Sequence, residues 1–157
     1  MIDAKRRILL KGSLGAGAVG VAVGAGLLAP RAVLAAWPEA AFMAEDQSTA
    51  LKDLLGSDTI EDSDKVKIKA PDIAENGAVV PVTVEGEVDS AKSISIFAAG
   101  NNTPLIASFE MSDSSVPFVS TRIKMAKTAD VVAVVQTGDG LLGAAKPVKV
   151  TIGGCGG

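Results

Sequence analysis

The stretch VVPVTVEG, residues 79–86, puts Val80, Val82 and Val84 on one side of an extended chain. Alternation with period two marks a half-buried β-strand, and β-branched residues suit its pleated surface. The same pattern recurs on both sides of this segment. VKIKA (66–70) sets Val66 and Ile68 against Lys67 and Lys69, and SISIFA (93–98) places Ile94 and Ile96 together. PLIASFEM (104–111) aligns Leu105, Ala107, Phe109 and Met111 on one expected face, and FVSTRIKM (118–125), DVVAVVQT (130–137) and PVKVTI (147–152) continue the series. Turn signals fall between them at Asn76-Gly77, Gly100-Asn101-Asn102, Asp113-Ser114-Ser115 and Gly138-Asp139-Gly140. Seven short strands at this spacing predict an all-β fold, an immunoglobulin-like antiparallel β-sandwich, although strand order is not readable from them. The core is expected to be aliphatic, because the chain has no Tyr and a single Trp, and one Cys excludes the paired cysteines of an antibody-type domain.

Ahead of the strands, PEAAFMAEDQSTALKDLLG (38–56) favours a helix. Phe42, Leu51, Leu54 and Leu55 can share a face, and Gly56 is the expected stop. Ser57 to Asp64 reads as a polar, acidic turn. Residues 1–35 read differently again, with a basic start followed by a Gly- and Ala-rich apolar run and small residues before Ala35. A run so poor in Leu, Ile and Phe is a weak membrane anchor. Arg6-Arg7 followed by Ile8-Leu9-Leu10-Lys11 looks like a twin-arginine export signal, cleaved after Ala35 or one residue later, with the bacterial periplasm as destination. The expected organisation is therefore a signal at 1–35, a helix plus sandwich at 36–152, and a tail at 153–157. Removing the signal leaves 10 basic and 17 acidic residues, a net charge near −7, which disfavours nucleic acid or a membrane surface as partner.

Catalysis has little to work with. There is no His, so Ser-His-Asp and Cys-His arrangements and the commonest metal ligand are excluded. Glu61-Asp62-Ser63-Asp64 lacks the ordered spacing of a calcium loop. No strand–glycine loop–helix arrangement supports a phosphate site. The sequence predicts neither a cofactor nor a metal nor an enzyme. Attention falls on the ending TIGGCGG (151–157), where the single thiol, Cys155, lies between Gly153-Gly154 and Gly156-Gly157. Four glycines offer no side chains to cover it, and chain ends are mobile unless tied down. An unperturbed thiol with a pKa of about 8.5 is mostly protonated near neutrality, so Cys155 is suited to carrying a group rather than to catalysis. A strand ending at Ile152 would anchor a short swinging arm whose glycines let the backbone enter narrow passages.

The terminal GGCGG (153–157), together with the export signal and the helix before the sandwich, resembles the carrier motif of the SoxY family of the bacterial sulfur-oxidation (Sox) system. That resemblance implies covalent carriage of thiosulfate-derived sulfur on Cys155 and a heterodimer with a SoxZ-like subunit. It further implies three partners: a haem cytochrome that couples thiosulfate to the thiol, a hydrolase that releases sulfate, and a dehydrogenase that oxidises the remaining sulfane sulfur. Two other readings stay open on the residues alone. One is a structural or adhesive sandwich whose Cys155 forms an interchain disulfide; the other is a terminal Gly-Gly carrier activated at its carboxylate. Oxidation would in any case link dimers through Cys155.

Overall fold

In a computed structural model of the chain, residues 37–112 and 114–153 are described. The expected signal, with Arg6 and Arg7, lies outside them, as do Gly154, Cys155, Gly156 and Gly157.

The expected single helix is two. Helix α1 spans Glu39–Met43 and helix α2 spans Gln47–Leu55. Asp46 causes the break: its backbone is extended and its carboxylate accepts from the Thr49 N–H at 2.8 Å, capping the second helix. Gly56 ends α2 as expected, in the left-handed conformation at φ 77°, with its N–H bonded to the Lys52 carbonyl at 2.9 Å. Trp37 stacks on Phe42 with ring centroids 4.2 Å apart.

Nine strands follow among the described residues. They are β1 (Glu61–Asp62), β2 (Val66–Lys69), β3 (Ile73–Ala74), β4 (Val80–Gly86), β5 (Ser93–Ala98), β6 (Leu105–Glu110), β7 (Phe118–Ile123), β8 (Ala129–Gln136) and β9 (Leu141–Val150). One sheet has the order β1-β9-β8-β5-β6, with β3 also on β9, and the other has the order β2-β4-β7. The fold is thus the expected two-sheet sandwich. It is not wholly antiparallel, because β1 and β3 each pair with β9 in parallel, at Leu142–Gly143 and Lys149–Val150. The 57–64 segment is therefore not only a turn. Its Glu61–Asp62 backbone can approach because Gly143 leaves room for Ile60, whose methyl would overlap a Cβ there. The last strand is also longer than PVKVTI, starting at Leu141 and pairing with β8 down to Val148.

Between the sheets, Val80, Val82 and Val84 of β4 meet Ile94 and Ile96 of β5 and Val131, Ala133 and Val135 of β8. The other face of the large sheet is covered by the helices, where Phe97, Leu105, Val134 and Leu141 pack with Ala41, Ala50 and Leu51. Every residue of β5 is consequently buried, on both faces. Its polar members are paired: Ser95 Oγ lies 3.0 Å from Ser108 Oγ, and Ser93 donates to Gln136 at 3.2 Å. Strand β6 departs from its expected face. Ala107 pairs with Ile96 but Leu105 pairs with Phe97, so a bulge at Ile106 breaks the alternation. Leu105 therefore joins the helix-facing cluster, while Phe109 and Met111 pack against the inter-sheet core.

Candidate functional site

The described chain ends at a pole built from four segments. These are the end of β9, the 75–79 loop after β3, the 124–128 loop between β7 and β8, and the turn after β5. The end of β9 is fastened almost residue by residue. Val150 N–H donates to Thr128 Oγ1 at 2.9 Å, and the Thr128 hydroxyl donates to the Val150 carbonyl at 3.2 Å. Thr151 donates from its N–H to the Ala74 carbonyl at 3.1 Å and from its hydroxyl to the Glu75 carbonyl at 3.0 Å. The Ile152 carbonyl accepts from the Gly77 N–H at 2.7 Å, and the Gly77 carbonyl accepts from the Met125 N–H at 2.7 Å.

Gly153 then passes the carbonyl of Ala126 so closely that a Cβ would overlap its oxygen. Only glycine fits such an approach to another backbone. Hence the expected boundary at Ile152 is marked by a hydrogen bond at that residue's carbonyl, and Gly153 is at once the expected first arm residue and a packed contact. Cys155 is two residues further on, which by chain geometry is about 7 Å of extended backbone.

Around this exit stand the exposed side chains of Ile152 (68%), Ile73 (57%) and Val79 (53%). Lys124, Lys127 and Lys149 are exposed there as well, with Glu75 among them. The opposite end of β9 differs. A depression of about 680 Å³ opens there, lined by Glu61, Lys65, Glu87, Asp89 and Asp139. At its rim Lys67 hydrogen-bonds Glu87, which holds the Lys67 ammonium above its ordinary pKa. Four carboxylates make this depression a poor seat for an anion. Among the described residues no group of three His, Cys, Asp or Glu could hold a metal, and no helix is long and apolar enough to cross a membrane. Elsewhere Lys52 pairs with Asp58 at 2.9 Å and holds that carboxyl below its ordinary pKa by hydrogen bonding.

Sequence reasoning missed Asn101, Thr128, Thr151 and Ala126. Asn101 stood only for a turn, yet it is 7% exposed, and both ends of its amide are engaged. Only the Gly-Asn-Asn run hinted at it, and a turn signal does not tell a buried Asn from an exposed one.

Two packed sheets, an aliphatic core and a last strand handing over to a glycine tail that holds the single thiol define a small immunoglobulin-like β-sandwich protein. The family model described as "Sulfur oxidation protein SoxY" matches residues 51–155, a span that reaches the cysteine. The chain belongs to the SoxY family. Among solved structures, the sulfur carrier protein SoxY from Chlorobium limicola f thiosulfatophilum is 48% identical, with a TM-score of 0.60 over 66% of this chain and 94% of its own. An engineered protein, 14% identical with a TM-score of 0.39 over 55% of this chain and 20% of its own, supports no inference. No curated protein sequence matches significantly.

Proposed function

We propose that this chain is a periplasmic carrier that holds thiosulfate-derived sulfur on Cys155 and presents it to the enzymes of sulfur oxidation. The observation that carries the reading is the tail's anchorage. Backbone contacts fasten the chain through Ile152 and Gly153, and the single thiol follows two residues later. Membership of a sulfur-oxidation family supports it, as does the 48% identical protein titled a sulfur carrier. Gly153, Gly154, Gly156 and Gly157 form the arm, and Arg6 and Arg7 direct export of a precursor whose first 35 residues are removed.

The chemistry assigns the partners their roles. Joining a thiol to thiosulfate through a new S–S bond releases one proton and two electrons, so the coupling partner is an oxidant, the haem cytochrome. Removing the terminal sulfonate as sulfate consumes water and no oxidant, which is hydrolase work, and leaves a persulfide for the dehydrogenase. A SoxZ-like subunit completes a heterodimer; β6 and β7 are outer strands of the two sheets, and Val116 and Phe118 are exposed beside the latter. In this scheme the chain performs no catalysis of its own.

Intact mass spectrometry of periplasmic protein from thiosulfate-grown cells tests the reading. Sulfur adducts should map to Cys155 and vanish in Cys155→Ser, with folding and partner binding unchanged. A modified C-terminal carboxylate, or only free thiol and disulfide dimer, would overturn it.

A further inference from the structure

We infer that Asn101 is a positioning residue for the carrier arm: through the 124–126 loop and Gly77 it sets the point and direction from which the tail leaves the sandwich. The inference rests on the carrier reading and adds to it a fixed mounting. Asn101 Nδ2 donates to the Lys124 carbonyl at 2.8 Å, and its Oδ1 accepts from the Ala126 N–H at 2.8 Å. One buried amide thus spans the loop around Met125, whose side chain is itself fully buried. Met125 passes the hold to the Gly77 carbonyl, and Gly77 passes it to the Ile152 carbonyl. Ala126, whose N–H Asn101 holds, turns its carbonyl to Gly153.

Both routes from Asn101 therefore end at the root of the tail, on Ile152 and Gly153. The chemistry of the side chain matters. An amide satisfies a carbonyl and an N–H together, whereas Asp offers no donor to Lys124 and Ala offers nothing. A loose root would spread the thiol over more directions and lower its effective concentration in an enzyme's channel, without altering the thiol itself.

The test compares the full mature chain with Asn101→Ala, Gly153→Ala and the double variant. Three measurements are made: amide hydrogen exchange, the rate of maleimide reaction at Cys155, and oxidative loading with thiosulfate by the coupling cytochrome. In Asn101→Ala, exchange at Gly77 and Met125 should quicken about tenfold or more while β8 amides stay protected. Maleimide should react at the wild-type rate, and kcat/KM for the carrier should fall about tenfold or more, chiefly through KM. Gly153→Ala lies beyond the last strand, outside the core, and should show the same loading loss even if the first variant folds poorly. The double variant should be no worse than either single one, because both release the same root.

Unchanged loading by both single variants would overturn the inference, as would losses that multiply in the double. A wild-type chain that takes up no sulfur would instead overturn the carrier reading. The exchange rates would still show whether Asn101 holds the root.

Discussion

Replacing Phe97 with Ala tests how the helix layer is held on the large sheet. The ring is fully buried, pairs across the strands with Leu105 and Val132, and packs in the cluster that contains Ala41, Ala50 and Leu51. Among the described residues it is the largest fully buried side chain. Emptying such a site costs about 3–5 kcal/mol, combining the lost transfer energy with the cavity left behind. Domains of this kind hold about 5–15 kcal/mol in total, so the substitution removes a large share. With a urea slope of about 1–3 kcal/mol per molar, the midpoint should fall by about 1–5 M. Phe97→Leu retains most of the volume and should cost about 1.5 kcal/mol or less.

The assay is urea unfolding of the mature chain followed by two probes. The single tryptophan, Trp37, stacks on Phe42 and reports on the helix layer, while far-ultraviolet circular dichroism follows the sheets. Both transitions should move together, since the two layers share this residue. A shift below about 0.5 M would refute the packing argument, because a fully buried ring in the load path between layers cannot be lost so lightly. Separate transitions would refute the single cooperative unit.

Gly56→Ala should cost about 1 kcal/mol, read as a thermal midpoint lower by a few degrees, since nothing lies within 4 Å and only the left-handed backbone is strained. Asp46 has its carboxyl held below the usual range by the Thr49 N–H. A depressed folded pKa gives stability that is present above about pH 4 and lost as pH falls through the folded value. Asp46→Asn keeps a capping oxygen without titrating, so its thermal midpoint should fall less than the wild type's on acidification below pH about 4, and an identical decline would refute the assignment. Replacing Arg6 and Arg7 together with Lys should strand the precursor in the cytoplasm, visible as uncleaved protein in fractionated cells, and normal export would end the twin-arginine assignment.

Much of this protein is legible from side-chain order alone. Alternation in 79–86 and 118–125 locates β4 and β7, because a strand with one buried face must alternate, and the apolar run in 130–137 locates β8, which is covered on both faces. Gly56 announces the end of α2, and the glycines around Cys155 single out the tail before any contact is known. The cap at Asp46 went unread, because it lies within a stretch of helix-favouring residues. What stayed illegible depends on partners distant in sequence. Period two says which residues share a face but not which strand lies beside them, so the parallel pairings of β1 and β3 with β9 left no trace in residue type. The bulge at Ile106 exists only relative to β5, and it moves Leu105 to the face that the helices cover. The mounting of the tail is written largely in backbone groups, which every residue carries alike. Asn101, Gly77 and Ile152 become neighbours only when three loops and the last strand converge at one pole.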